Sequence, residues 1–558
     1  MARAMAMATA ARVDRMLLWM RSLVVDGVQT RRPVGALFFA GLCSAAAAQG
    51  QSNPDELTSA PSQSQMAGES TSAQGVQGNR RLMSFVPSLA LESTWTDNVQ
   101  AGGGTGRASD IVTTVRPGLR FTAEGDRLKA NVDYSLTRLV YARNSSLDQN
   151  QNALQATGSL EMAENFAFLD FNGNISQQTI SAFGTRSGSD LTDNANRTEA
   201  AMYRLSPYVR GQLGDWAQYQ ARYARSIFRA KSSVVAADYD MDDVSVQLTG
   251  SNQQRVIAWS LDVNHQRQDY ASGRSYASDR VRAFLTHPFT PQLSFSLIPG
   301  WESNNYVSQE KEGHTTFGGQ VQWAISDRTN LSALLERRFF GQAHSVSFEH
   351  RTPRTAWRFS DSRDTTTMNQ NGTVGLGSLY DLYFFQFASI EPDATRRAQL
   401  VNAFLLANGL NGSTRVDLGF LTSAVSLSRR QDASFTLIGV RDTLSFLASQ
   451  SETSGLSQIN TGNDDLSSSS YVRQHGFSIT YSRRLTPLST LNILASTTRA
   501  RGQNATAQSS ELRSLGINMS TRLGQYTTGS VGVRRSVSSN SAFSYSESAL
   551  HGGLSFQF

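Results

Sequence analysis

Cysteine is all but missing from this chain of 558 residues. The one cysteine, Cys43, lies in an N-terminal targeting segment, which leaves the remainder without a disulfide or a thiolate site. Leu42 stands where a small residue is needed just before a lipid-modified cysteine, which argues against a lipoprotein. Lysine is nearly as scarce: Lys129, Lys231 and Lys311 stand against 48 arginines. Long apolar runs are missing too. Beyond the targeting segment nothing approaches the ~18 to 20 uninterrupted apolar residues of a membrane-spanning helix, so a chain of this kind can cross a membrane only as a closed barrel. With 39% hydrophobic residues and a mean hydropathy of -0.34, it is also poor in the bulk that fills an enzyme core. Nor is there a real excess of one charge. The formal +6 comes mostly from residues 1–48, which hold six Arg and two Asp; without them 45 basic residues face 43 acidic ones, and no basic stripe supports nucleic-acid binding.

What is present begins with a secretory pattern. Arg31-Arg32, the apolar run from Val34 to Leu42, then Ser44 and four alanines form the n-region, h-region and small-residue cleavage site of a signal peptide, with cleavage expected near Ala48-Gln49. The n-region is long, and a start at Met20 would give a more ordinary signal. The expected organisation is therefore a signal peptide over 1–48, a flexible Ser/Gln/Gly/Pro periplasmic leader over 49–83, and a barrel over 84–558.

From Phe85 onward the dominant signal is a period of two over segments of about 9 to 11 residues, the length a tilted strand needs to cross hydrocarbon. Leu128, Ala130, Val132, Tyr134 and Leu136 alternate with Lys129, Asn131, Asp133, Ser135 and Thr137. Tyr219, Ala221 and Tyr223 alternate with Gln220 and Arg222, and Trp259, Leu261 and Val263 with Ser260 and Asp262. Lys129, Asp133, Arg222 and Asp262 are thus candidate lumen-facing residues.

The connections alternate in length. Tight turns are predicted at Glu124-Gly125-Asp126, Ala163-Glu164, Gly214-Asp215, Ser251 to Gln254, Thr290-Pro291, Ser326-Asp327-Arg328, Thr352-Pro353, Arg430-Gln431, Thr486-Pro487 and Gly524-Gln525. Longer polar loops are predicted at Gly102 to Ser109, Ala182 to Arg197, Lys231 to Asp240 and Ser451 to Ser469. Short periplasmic turns and long external loops are the asymmetry of an outer-membrane barrel. The fold class is therefore all-β: a transmembrane antiparallel up-and-down β-barrel of about 22 strands, within a range of 20 to 24, with one short helix in a long loop. Trp95, Trp216, Trp259, Trp301, Trp323 and Trp357 are expected in strands near their ends, as aromatic girdles. Asp393 to Asn408 carries Leu400, Val401, Phe404 and Leu405 at helical spacing between Pro392 and Gly409, a capped helix in the longest connection, about 368 to 413. Its position inside the lumen or on the rim stays open.

The chain ends Leu550-His551-Gly552-Gly553-Leu554-Ser555-Phe556-Gln557-Phe558. His551, Gly553, Phe556 and Phe558 resemble the signal that outer-membrane barrels present to the barrel-assembly machinery, in which a final strand docks on a sheet edge by backbone bonds. Catalytic patterns do not emerge. The seven histidines show no metal-ligand spacing, the nearest pair being His344 and His350 on one strand face. Gly102 to Gly106 follows a strand without opening a helix and reads as a loop, not a phosphate cradle. Asp238, Asp240, Asp242 and Asp243 read as a solvated acidic loop, with a divalent cation at the outer rim as the alternative. No enzyme activity and no cofactor are expected.

Several features together resemble an outer-membrane protein family associated with PEP-CTERM/exosortase systems, whose genes commonly sit in exopolysaccharide loci. They are Trp95-Thr96-Asp97-Asn98, Pro117-Gly118, Ser206-Pro207-Tyr208, Tyr219 with Arg222-Tyr223, Arg351-Thr352-Pro353-Arg354-Thr355, and Gly439 with Arg441. The resemblance spans about 84–558 and carries no catalytic motif. It implies a role near exopolysaccharide export or envelope assembly, with outer-membrane lipid, lipopolysaccharide, the polymer and periplasmic export proteins as partners. A barrel channel passing exopolysaccharide is the expectation, and a non-conducting surface scaffold the alternative.

Overall fold

In the computed structural model, residues 83–558 are described except 102–106, 233–236, 251–256, 272–273, 367–378, 388–390, 392–396, 398–399, 402–417, 424, 457–463, 504–507 and 543. The signal peptide, Cys43, the leader up to residue 82, the Gly102 to Gly106 loop and the predicted Ser251 to Gln254 turn lie outside the described residues, and Met83, expected to end the leader, is instead the first residue of the first strand. Alternating side chains and turn chemistry yield 22 strands in one sheet. The first half comprises β1 (Met83–Thr96), β2 (Asp110–Glu124), β3 (Leu128–Tyr141), β4 (Gln149–Ala163), β5 (Ala167–Thr179), β6 (Arg197–Leu213), β7 (Ala217–Ala230), β8 (Tyr239–Gly250), β9 (Ala258–Tyr270), β10 (Tyr276–Thr290) and β11 (Leu293–Asn304). The second comprises β12 (Glu312–Ser326), β13 (Thr329–Arg338), β14 (Gly341–Arg351), β15 (Thr355–Thr366), β16 (Ser426–Ile438), β17 (Asp442–Gly455), β18 (Tyr471–Arg484), β19 (Ser489–Gly502), β20 (Ser509–Arg522), β21 (Thr527–Asn540) and β22 (Ser544–Gln557). Each strand pairs antiparallel with the next, and β22 returns to β1 from Ser88↔Gln557 to Thr96↔Ala549. Closure leaves no unpaired edge, which is what a sheet needs where no water can satisfy its backbone.

The outward face carries the exposed apolar side chains, among them Phe85, Leu119, Tyr134, Leu285, Phe317, Leu335, Phe477 and Val531. Trp95 and Trp301 lie toward the long-loop end of this belt, and Trp259, Trp323 and Trp357 toward the turn end. An apolar band between aromatic girdles on a closed barrel makes this an integral outer-membrane protein. No described helix is long and apolar enough to cross a membrane.

Several expectations are corrected. Arg430-Gln431 is not a turn but the middle of β16, and the chain reverses at Gly439 to Arg441 instead. The polar run there exists because Arg430 pairs with Asp432 at 2.8 Å while Gln431 donates to Asp361 at 2.9 Å. Trp216 lies in the β6–β7 turn, 58% exposed, and stacks on Trp259 at 5.9 Å. The acidic run is largely strand: Asp240 and Asp242 face outward against Arg225 and Arg229, Asp243 faces inward to Asn264, and Asp238 accepts from the Ala230 amide, so the four carboxylates do not converge.

The β22–β1 seam gives Gly553 a physical role. A Cβ there would sit 2.8 Å from the Leu91 carbonyl oxygen and 3.2 Å from Glu92 Cα, whereas one at Gly552 would come no closer than 3.8 Å to the Ser530 oxygen. Gly553→Val should therefore block closure, and Gly552→Val should be tolerated on the lipid face. Heat-modifiable electrophoretic migration measures this: the folded band is expected to fall severalfold for the first variant only.

Candidate functional site

The inner wall does not enclose an empty pore. Between β16 and β21 it is paved with small hydroxyl side chains, including Ser426, Thr436, Ser445, Ser478, Ser482 and Ser536, all buried although the barrel wall is a single layer. What buries those nearer the mouth is chain from the long-loop end, folded inward.

The β15–β16 connection contributes most. Tyr383 and Phe387 of its helix Leu379–Phe387, with Val401 and Leu418 from later in the connection, pack against Leu447 and Ile438 of the wall. The Tyr383 hydroxyl shares a hydrogen bond with Ser445 Oγ at 2.8 Å. The Arg351 guanidinium, at the turn end of β14, lies 5.7 Å from the Phe385 ring, which places this helix deep in the barrel toward the periplasmic side. This helix was not foreseen. Of the predicted helix Asp393 to Asn408, the described residues Arg397, Leu400 and Val401 are helical and the rest lie outside the described residues. The missed signal was the run Leu379-Tyr380-Asp381-Leu382-Tyr383-Phe384-Phe385-Gln386-Phe387: so apolar a stretch in a polar loop must find cover. The connection is expected outside the cell, with rim and lumen both open; its described helix Leu379–Phe387 lies in the lumen.

The same connection closes the mouth as it returns. Leu421 and Val425 lie against an arc of inward aromatics on consecutive elements: Phe228, Tyr239, Tyr270, Tyr276 and Tyr306, then Phe339. Successive ring centroids are 5.2, 5.6, 6.0, 6.2 and 5.9 Å apart. From the opposite side, the β5–β6 connection folds in and crosses to β21, where the Arg186 amide donates to Ser538 Oγ at 3.3 Å and Asn540 Nδ2 donates to Thr185 Oγ1 at 3.1 Å. Tyr141 anchors it near β3 through its hydroxyl to the Leu191 carbonyl at 2.6 Å.

Two adjacent carboxylates knit these connections together. Asp464 caps the helical turn Asp465–Ser468 and accepts from Thr422 Oγ1 at 2.8 Å and the Ser423 amide at 2.9 Å. Asp465 accepts from Ser181 Oγ at 2.7 Å and the Ala182 amide at 2.6 Å. Burial pushes the Asp465 carboxyl up to about 6 from 3.8, with the Asp464 charge adding to the rise, while the Ser181 and Ala182 hydrogen bonds and the Arg186 charge oppose it. The docked state thus prefers the protonated carboxyl. Docking gains stability as pH falls through about 6, levels off below 3.8, where both states hold the proton, and is weakest at neutral pH. The shift corresponds to about 3 kcal/mol. Proteolysis of the β5–β6 connection should be slower near pH ~5 than near pH ~7.5, and Asp465→Asn should flatten that difference.

The sequence-predicted residues distribute along the wall. Arg222 is buried in a 2.7 Å ion pair with Asp170 and lies 4.0 Å over the Tyr208 ring. Asp262 lies 3.8 Å from Arg282, which reaches Glu336 at 3.7 Å. Asp133 holds Arg120 at 2.8 Å with both side chains about half exposed, and Lys129 lies on the same face of β3 nearer the turn. They do not converge on one site. The charged group that does converge was missed: Glu302 and Arg338, fully buried at 2.7 Å, with Arg280 and Asp364 beside them. On the outer face His344 contacts Asp361 at 3.0 Å and His350 contacts Thr329 at 2.8 Å. Among the described residues no group of three or more His, Cys, Asp or Glu could hold a metal ion. His551 approaches Asn518 at 3.3 Å, Phe556 pairs with Leu89, and the Phe558 amide donates to the Pro87 carbonyl at 3.0 Å.

No protein-family profile and no curated protein matches the chain. Among solved structures, the chain is similar to the siderophore receptor PirA from Pseudomonas aeruginosa, with 9% identity over 85% of this chain and 80% of that one and a TM-score of 0.34. It is similar to the ferric enterobactin receptor PfeA, with 10% identity, 85% and 81% coverage and a TM-score of 0.39. It is also similar to the outer membrane protein opdK from Pseudomonas aeruginosa, with 8% identity, 85% and 98% coverage and a TM-score of 0.32. Likeness this distant says nothing of what the chain binds or passes.

Proposed function

We propose that the protein is a gated outer-membrane channel for exopolysaccharide, closed at rest by its own β15–β16 connection. One observation carries this reading. The β15–β16 part of the filling is an insertion into a hairpin whose strand ends, Thr366 and Ser426, are direct register partners, so the wall is complete without it. A barrel of this strand number is wide enough to need a plug, and a plug tethered at both ends can be displaced without breaking the wall. Three features support a carbohydrate cargo: the hydroxyl-lined inner wall, the aromatic arc whose flat faces suit sugar rings once Leu421 and Val425 move away, and the resemblance to a family linked to exopolysaccharide loci. Passage needs hydrogen bonding and no covalent step.

The apolar packing around Tyr383 favours a second reading, a permanently sealed scaffold. A deletion strain separates cargo from architecture. Loss of surface polymer, with the polymer retained in the periplasm, is the expected result; unchanged export would end the exopolysaccharide reading.

A further inference from the structure

The lipid-facing surface carries a charged region that the conduction path does not use. On the outward face of β17 to β20, near the long-loop end, strand register sets Glu452, Arg473 and Arg501 in one row. The next row holds His475, Arg499 and Glu511. Further toward the turns, the same face shows Phe446, Ile479, Ala495 and Leu515 in register. The cations therefore border the apolar band directly. Tyr471, Arg473, His475, Arg499, Arg501 and Gln503 line a shallow pocket of about 430 Å³ there.

Glu452 holds Arg473 at 2.8 Å, and Glu511 holds Arg499 at 2.7 Å and Arg513 at 2.6 Å. These pairs aim the guanidinium groups without covering them: Arg473, Arg499 and Arg513 keep 47%, 43% and 67% of their side-chain surface exposed. Arg501 adds a further cation, so positive charge is in surplus. The corresponding outward belt of β7 to β10 has none. There Arg225 and Arg229 meet Asp240 and Asp242, Arg267 meets Asp269, and Lys311 meets Asp279.

We propose that the β17–β20 patch binds the phosphorylated head of an outer-leaflet glycolipid, the lipid A part of lipopolysaccharide. Guanidinium groups match phosphate oxygens in paired hydrogen bonds. The apolar rows below offer acyl chains a surface that a free anion would not need, which selects a lipid over inorganic phosphate. A cationic cluster at the polar boundary of the membrane is where phosphate headgroups lie.

The test uses the mature protein in non-ionic detergent, mixed with bisphosphorylated lipid A, fully dephosphorylated lipid A or inorganic phosphate and read by native mass spectrometry. The wild type should retain the bisphosphorylated lipid. The double variant Arg499→Ser with Arg501→Ser should bind it roughly tenfold more weakly, as loss of charge-assisted bonds dictates, and Arg225→Ser with Arg229→Ser should leave it unchanged. Arg499→Lys with Arg501→Lys should retain part of the binding. Folding of each variant is verified by heat-modifiable migration. Undiminished binding by the Ser double variant, equal binding of the dephosphorylated lipid, or displacement by stoichiometric inorganic phosphate would each overturn the site.

Discussion

Replacing residues 367–425 with a short turn should turn a barrel of low conductance into a wide, steadily open pore. The register partners Thr366 and Ser426 lie at the same height on adjacent strands, so a tight hairpin can rejoin them without disturbing the wall. The excised chain includes the Leu379–Phe387 helix and the strap that bears Leu421 and Val425, the material packed on Leu447 and on the aromatic arc. Removing it exposes those faces to water but leaves every inter-strand pairing intact, and the wall holds the barrel together. Planar-bilayer recording is the measurement. Conductance per channel is expected to rise roughly tenfold or more, since barrels of this size leave aqueous lumens when unplugged. A variant as silent as the wild type would show that the β5–β6 connection alone seals the mouth and would favour the scaffold.

The largest single-residue effect on stability is expected at Glu302. Its carboxylate is completely buried and accepts from Arg338 Nε at 3.0 Å, Arg338 Nη2 at 2.7 Å and the Phe339 amide at 2.8 Å. Arg280 stands 3.9 Å away, and Asp364 shares Arg338. Glu302→Ala would leave the Arg280 and Arg338 guanidinium groups under the mouth with Asp364 and Glu336 as their remaining nearby anions and would remove the carboxylate that holds Arg338 by two bonds, and breaking a buried ion pair costs about 3–5 kcal/mol. Glu302→Gln keeps an acceptor and should lose less, about 1–3 kcal/mol. Asp133→Ala is the contrast: the Arg120–Asp133 pair is about half exposed, and pairs of that kind contribute about 0–1 kcal/mol. Urea titration of each variant reconstituted in lipid vesicles, followed by tryptophan fluorescence, should rank them in that order. Equal midpoints for Glu302→Ala and Asp133→Ala would show that water reaches the Glu302 cluster.

The hairpin at Thr352-Pro353 and the alternation of Leu128 to Thr137 are local, because turn residues and the side-chain period of two act within a few residues. The failures were of another sort. Arg430-Gln431 looked like a turn because polarity marks loops in water, whereas in a barrel a polar residue can point to a partner across the strand pair. The acidic run at Asp238 to Asp243 looks like a loop for the same reason, yet the adjacent carboxylates Asp242 and Asp243 serve opposite faces of the sheet.

By itself, then, the amino-acid order determined a closed transmembrane sheet, its strand number and the alternation of short and long connections, since each follows from spacing along the chain. It did not determine where the long connections go. Asp464 reaches Thr422, and Asp465 reaches Ser181 across 284 positions of sequence. Tyr383 finds Ser445 on a wall that exists only once the barrel has closed. Contacts of that kind depend on the three-dimensional enclosure the strands create, so only the tertiary structure could decide that the lumen is filled and what holds its filling in place.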